Sequence, residues 1–218
     1  MQIILMVGVD IVFLVSLVVW TNHSLKILMT DNTPNFISTF DNVLSSEDCK
    51  QIIYEFEDSK EKQVEGKVGN DKIKIGTKKS TDITYSFRDN SLTTEIISKS
   101  LRKYVNVYTN QYPELNRNVS SWSTYDYYNV QRYKPQEGYF KPHCEVVDIK
   151  SSSRILVWMF YLNSLENGGT LFPRYEIGIR AIQGRLVIWP AYWTHIHKGQ
   201  ISQTQTKYIT TGWYNLTI

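Results

Sequence analysis

At 218 residues with a formal net charge of +3, the chain has the size of one catalytic domain with a substantial core. So small a charge does not imply the concentrated basic stripe of a nucleic-acid-binding protein, and no nucleic-acid partner is expected. Two cysteines, Cys49 and Cys144, exclude a disulfide framework, and Cys49 reads as a buried helix residue.

In chain order, the first twenty residues are mostly apolar, and residues 3–20 read as a short membrane anchor or uncleaved signal segment. Asp10 interrupts the run, at a cost of about 2.5–3.5 kcal/mol on insertion scales. Lys26 is the first basic residue, so no orientation can be read. In the other reading, Met29 opens the functional protein and residues 1–28 are an upstream extension. The expected organisation is therefore an anchor or extension over 1–28 and a catalytic domain over 29–218. The expected localisation is membrane-anchored or, failing that, cytoplasmic.

Residues 35–40 form a short strand-like run. Ser45, Ser46, Glu47 and Asp48 then read as a helix start, followed by Cys49, Ile52, Ile53 and Phe56 on one apolar face. From 60 to 79 the chain is rich in Lys, Gly and Asp and reads as an exposed connecting loop, or as a lid or substrate-recruiting loop. Substrate contacts are expected over 60–90. Ile97, Leu101, Tyr104, Val105 and Tyr108 mark a second helix. Residues 120–133, 154–162, 185–189 and 207–214 are β-branched or aromatic runs separated by Gly, Pro and Asn, and read as strands. The fifteen Tyr and six Trp agree with a strand-rich fold. Helices followed by strands predict a mainly β member of the α+β class, the helices buttressing one face of a sandwich or barrel.

Of four histidines, His23, His143, His195 and His197, three lie in the strand-rich half. On a strand, residues i and i+2 share a face, so His143 and Glu145 can converge on one ion. A histidine from a distant strand, His195 or His197, completes two imidazoles and a carboxylate. Such a facial triad leaves positions open for a cosubstrate and O₂ and suits iron(II). Asp148 lies five residues from His143 and so on the opposite face of a regular strand.

Several motifs surround these residues: Tyr133 to Phe140 leading into His143, then Arg154, Tyr161-Leu162-Asn163 and Gly168-Gly169-Thr170-Leu171-Phe172-Pro173. Gly184-Arg185-Leu186, Trp189-Pro190, His197-Lys198-Gly199, Lys207-Tyr208-Ile209 and Gly212-Trp213 follow. In order and spacing they resemble the prolyl 4-hydroxylase-like iron(II) and 2-oxoglutarate dioxygenases, over about residues 120–214. That resemblance implies a double-stranded β-helix, or jelly-roll, core. It implies iron(II), with 2-oxoglutarate and O₂ as cosubstrates and ascorbate as a further cofactor. The family's H-x-D motif falls on His143 and Glu145, so a glutamate stands where aspartate is commoner. The distal ligand falls on His197, ten residues before Lys207, with His195 as the alternative. Lys207 matches the residue that pairs with the C5 carboxylate of 2-oxoglutarate. Tyr161 and Thr170 match hydroxyls supporting that carboxylate, and Tyr133 one near the keto-acid end.

The implied activity is hydroxylation of a C–H bond of a peptidyl proline or other protein residue, with release of succinate and CO₂. The alternatives are a small-molecule or nucleic-acid substrate, or a non-catalytic jelly-roll module. A missing metal ligand would mark the last, whereas every candidate ligand is present here. Nothing in the sequence fixes an oligomeric state.

Overall fold

A computed structural model describes residues 34–68 and 73–217. Strand β1 (Ser38–Phe40) leads into helix α1 (Ser46–Asp58). The Ser45 hydroxyl accepts from the Asp48 N–H while the Asp48 carboxylate accepts from the Ser45 N–H, a capping box that satisfies two otherwise unpaired donors. Cys49, Ile52 and Phe56 are fully buried. Short strands β2 (Val64–Glu65) and β3 (Lys78–Lys79) precede β4 (Thr81–Ser86). Helix α2 (Leu92–Gln111) starts on the N-cap Ser91 and buries Ile97, Leu101 and Tyr108. The following Pro113 disfavours continuation. The two helices are tied together where the Thr93 hydroxyl donates to Glu55.

After α3 (Glu114–Asn118) the chain is almost wholly strand: β5 (Trp122–Tyr133), β6 (Gly138–Tyr139), β7 (Arg154–Tyr161), β8 (Thr170–Phe172), β9 (Ile177–Ile179), β10 (Leu186–Pro190), β11 (Lys198–Gly199) and β12 (Lys207–Leu216). A seven-stranded antiparallel sheet runs β1-β10-β7-β12-β5-β4-β2, accompanied by a smaller sheet β11-β8-β9 and the pair β3-β6. This is the expected jelly-roll with helices on one side.

Strand β7 shows how the layers form. Leu156, Trp158 and Phe160 join the core shared with α1 and α2. The alternate residues Val157, Met159 and Tyr161 join a second core with Phe172 and Ile179 of the small sheet. A strand covered on both faces must be apolar throughout, which accounts for the unbroken run from Ile155 to Tyr161. On β12 the same alternation sends Tyr208, Thr210 and Tyr214 towards the helices. It leaves Lys207, Ile209, Thr211 and Trp213 facing the cavity between the sheets.

Three expectations change. Residues 60–79 are more than a loop: they contribute β2 and β3, and Lys78 is buried in an ion pair with Asp82 at 2.6 Å. Residues 69–72 lie outside the described residues. The Gly168-Gly169 pair reads in the sequence as a tight turn between strands, but Gly169 serves close packing, since a Cβ there would collide with the Ile179 carbonyl oxygen of β9. The membrane-anchored localisation is corrected, because among the described residues no helix is long and apolar enough to cross a membrane. The expected anchor, within residues 1–28, lies outside the described residues, as does His23.

Candidate metal centre and cosubstrate pocket

A cavity of about 500 Å³ opens between the large sheet and the small one, lined among others by His143, Glu145, His197, Thr170, Tyr133 and Lys207. His143 and His197 are joined as an isolated antiparallel bridge, each N–H donating to the other's carbonyl at 2.9 Å. The Glu145 N–H donates to the Ala191 carbonyl at 3.0 Å. The H-x-E segment is thus a bridge followed by a bend rather than a regular strand, yet both side chains still reach the same point. One ligand atom each from His143, Glu145 and His197 lie within 4.8 Å of one another.

The histidine tautomers follow from their partners. Nδ1 of His143 lies 3.1 Å from the Lys141 carbonyl and Nδ1 of His197 lies 3.0 Å from the His195 carbonyl. A carbonyl can only accept, so in each neutral ring the proton sits on Nδ1 and the lone pair on Nε2 is left for a ligand. Both Nε2 atoms lie 3.5 Å from Glu145 Oε1. Three ligands on bonds of about 2.0–2.2 Å at right angles stand about 3 Å apart, so the trio could close on an ion with a small shift. Two imidazoles and one carboxylate are a donor set that fits iron(II).

His195 is differently engaged. Its Nε2 lies 2.8 Å from the Asn35 carbonyl and its Nδ1 2.9 Å from the Thr194 hydroxyl. Both ring nitrogens are occupied, and the ring anchors the chain before β1 to the sheet. Asp148 is spent on a turn, accepting from the N–H and hydroxyl of Ser151 at 2.9 and 2.8 Å.

Aromatic rings pack against both imidazoles. Tyr139 stacks on His143 with centroids 3.5 Å apart, while Trp189 and Phe172 pack on His197 at 5.0 and 5.5 Å. Burial pushes the Glu145 carboxyl up, but the facing imidazoles of His143 and His197, when protonated, outweigh it and hold the group well below the usual carboxylate range. The other oxygen, Oε2, accepts from the Trp213 indole N–H at 3.0 Å.

Lys207 enters the cavity from the first residue of β12, opposite Tyr133 on β5. It is buried, and among the described residues it has no ion-pair partner. Desolvation accordingly lowers its ammonium to about 8. Its Nζ lies 5.4 Å from the Tyr161 ring centroid and 5.9 Å from that of Tyr133. The Tyr161 hydroxyl, wholly buried, pairs with the Thr170 hydroxyl at 2.6 Å, and it is Thr170 that lines the cavity. Tyr133 donates its proton to Gln131 Oε1 at 2.7 Å. Gln131 is oriented in turn by its amide N–H on Asp82 at 3.1 Å, and Lys78 and Ser80 bind the same carboxylate. With that proton committed, Tyr133 has only lone pairs to offer a ligand.

Trp213 and Arg154 stand in the sequence as motif residues without an evident role, and no motif marks the network of Lys78, Asp82 and Gln131. The inward alternation of β5 could have flagged Gln131. No periodic signal marks Lys78 in its lysine-rich surroundings.

Residues 128–215 match the family described as the 2OG-Fe(II) oxygenase superfamily. No curated protein sequence matches the chain. Among solved structures, the fold is similar to the viral collagen prolyl hydroxylase of Paramecium Bursaria Chlorella virus-1 in its 2OG complex. That likeness has a TM-score of 0.62 and 18% identity over 84% of this chain and 97% of that one. A Pseudomonas putida prolyl-4-hydroxylase gives a TM-score of 0.63 and 12% identity over 84% and 94%. The Trichoplax adhaerens prolyl hydroxylase in complex with a hypoxia inducible factor peptide fragment gives 0.64 and 17% over 84% of both. The family match spans His143, Glu145, His197 and Lys207, and the likeness to these solved structures agrees with the jelly-roll fold of the chain.

Proposed function

We propose that the enzyme hydroxylates a residue of a peptide or protein, with peptidyl proline as the favoured target. In this reading His143, Glu145 and His197 hold iron, and Lys207 holds the far carboxylate of 2-oxoglutarate with support from Thr170 and, behind it, Tyr161. The observation that carries the reading is one cavity containing both the convergent trio and a buried lysine with no ion-pair partner among the described residues. Iron with its cosubstrate supplies the oxidation: 2-oxoglutarate loses CO₂ to become succinate, one atom of O₂ enters it, and the other converts the target C–H to C–OH.

The chain's own groups do the rest. Backbone carbonyls of Lys141 and His195 keep the two imidazoles in the ligating tautomer. Lys207 supplies a desolvated cation whose cost of burial is offset only when an anion arrives. Trp189, Met159 and Ile209 line the cavity and keep water from the reacting centre. On its outer side, half-exposed Tyr125 and Tyr127 stand with Trp213, at 5.9 Å from each other and 6.4 Å from Tyr125 to Trp213. Aromatic-lined grooves suit extended, proline-bearing chains. The peptide bound by the Trichoplax protein and the collagen named for the viral one support a polypeptide substrate.

The test is incubation with iron(II), 2-oxoglutarate and a panel of proline-containing peptides, reading succinate and peptide mass. Peptide-dependent succinate with one oxygen added at proline supports the proposal. Succinate released at the same rate with or without any peptide, and no peptide modified, overturns the substrate assignment.

A further inference from the structure

The carboxylate ligand is a glutamate, and the structure restrains it at four points. Its N–H donates to the Ala191 carbonyl at 3.0 Å and its own carbonyl accepts from Arg154 Nη1 at 3.0 Å. Oε1 faces the two histidines at 3.5 Å each. Oε2 is turned away and accepts from the Trp213 indole N–H at 3.0 Å, with Arg154 Nη1 at 3.7 Å from the same oxygen. The guanidinium carbon of Arg154 stands 3.8 Å from the Trp213 ring centroid. Arg154 thus braces both the backbone of Glu145 and the indole that grips its side chain.

A glutamate needs such a grip more than an aspartate. Its extra methylene adds a rotatable bond, and a long-armed carboxylate readily presents both oxygens to a metal, as glutamate does in many calcium sites. Here that would consume a coordination position. A dioxygenase that must take a bidentate cosubstrate and O₂ has none to spare beyond its three protein ligands.

We propose that Trp213, braced by Arg154, is a positioning residue that holds Glu145 to ligation through Oε1 alone and so keeps a coordination position open for 2-oxoglutarate. The inference rests on the metal site proposed above. It separates two affinities that a merely structural role would move together: loss of the clamp lets Glu145 grip iron with both oxygens, so iron stays bound while 2-oxoglutarate must compete for its place.

The test uses the full chain, loaded anaerobically with iron(II) and titrated with 2-oxoglutarate while the visible charge-transfer band of the chelate is followed; iron affinity is measured separately by equilibrium dialysis. Wild-type protein must develop the band. If it does not, the metal-site reading fails before this inference is reached. Given the band, Trp213→Phe is expected to keep iron affinity within about threefold and to raise the half-saturating 2-oxoglutarate concentration about tenfold, the worth of one charge-assisted hydrogen bond. Arg154→Lys, which keeps the charge but loses the planar stack on the indole, is expected to shift it the same way by a smaller factor. The effect of Trp213→Phe is expected to shrink when Glu145→Asp shortens the arm. Unchanged 2-oxoglutarate half-saturation in both single variants overturns the proposal, and so does loss of iron in step with loss of 2-oxoglutarate.

Discussion

His143 and His197 exchange both backbone hydrogen bonds of an antiparallel bridge, N–H to carbonyl at 2.9 Å each way. Two residues fifty-four positions apart are thereby set side by side by main-chain pairing, before any side chain is considered. Their imidazoles inherit that registry and meet Glu145 Oε1 at equal distances. Alanine at His143, Glu145 or His197 is therefore expected to abolish 2-oxoglutarate turnover and iron binding. His195→Ala is expected to retain iron and instead to lower stability by about 1–3 kcal/mol, because it strips a partner from the Asn35 carbonyl. Iron titration beside thermal unfolding of the four variants distinguishes these outcomes. Loss of iron from His195→Ala with iron retained in His197→Ala would reverse the assignment of the distal ligand.

Lys207→Met is expected to raise the 2-oxoglutarate requirement ten- to a hundredfold, equivalent to a charge-assisted contact of about 1.5–3 kcal/mol, with iron affinity nearly unchanged. An unaltered 2-oxoglutarate dependence would exclude Lys207 from cosubstrate binding.

The lowered pKa of Lys207 has a measurable sign. In the ligand-free protein the ammonium is lost as pH rises through about 8, and carboxylate binding needs it charged. Affinity for 2-oxoglutarate is therefore expected to fall above pH 8, by up to about tenfold per pH unit. Folding linkage runs the opposite way. Between about 8 and the ordinary lysine value of 10.5, the unfolded chain binds more protons than the folded one, so this residue's contribution to the stability of ligand-free protein improves as pH rises across that window. A 2-oxoglutarate titration repeated across this range checks the first sign, and denaturant unfolding the second.

Much of the site was legible because its chemistry is local in sequence. The spacing of His143 and Glu145 survives in the structure, although His143 sits in a bridge and not in a full strand, whereas Lys207 was legible only through the family resemblance and is buried in the structure. The helices were legible from Cys49, Ile52 and Phe56 and from Ile97, Leu101 and Tyr108, where a single face is buried. The choice between His195 and His197 was not legible from periodicity, since both share a strand parity. What separates them is a tertiary partner, the Asn35 carbonyl, far away in sequence. Lys78 was read as part of a solvated loop because its burial depends on Asp82 and Gln131, which β3, β4 and β5 bring together only in the fold. Glu145 was legible as a candidate ligand, but its hold by Trp213 was not, because the contact spans sixty-eight positions and no pattern requires it.

The buried Lys78–Asp82 pair predicts an asymmetry. Asp82→Ala leaves an ammonium without its carboxylate and is expected to cost about 3–5 kcal/mol, whereas replacing both residues by apolar ones of similar size is expected to cost much less. Urea unfolding of the single and double variants measures this. Equal losses in the two would show that Lys78 finds water or another partner when Asp82 is removed.

Gly212 on β12 tests the packing behind the site. A Cβ there would lie 2.5 Å from the Trp158 ring and 3.0 Å from the Tyr128 Cβ, both fully buried. Gly212→Ala is expected to cost about 1–3 kcal/mol through overpacking, and a change within the error of urea unfolding would show that β12 can lift off the aromatic layer.

The most direct measurement for the whole account is anaerobic titration of the wild-type protein, first with iron(II) and then with 2-oxoglutarate, under an optical spectrometer. One iron per chain, followed by a weak visible charge-transfer band that saturates at one 2-oxoglutarate per iron, is the predicted result. Protein that stays folded, takes up no iron and shows no band would contradict the assignment of His143, Glu145 and His197 as an iron site in a working dioxygenase.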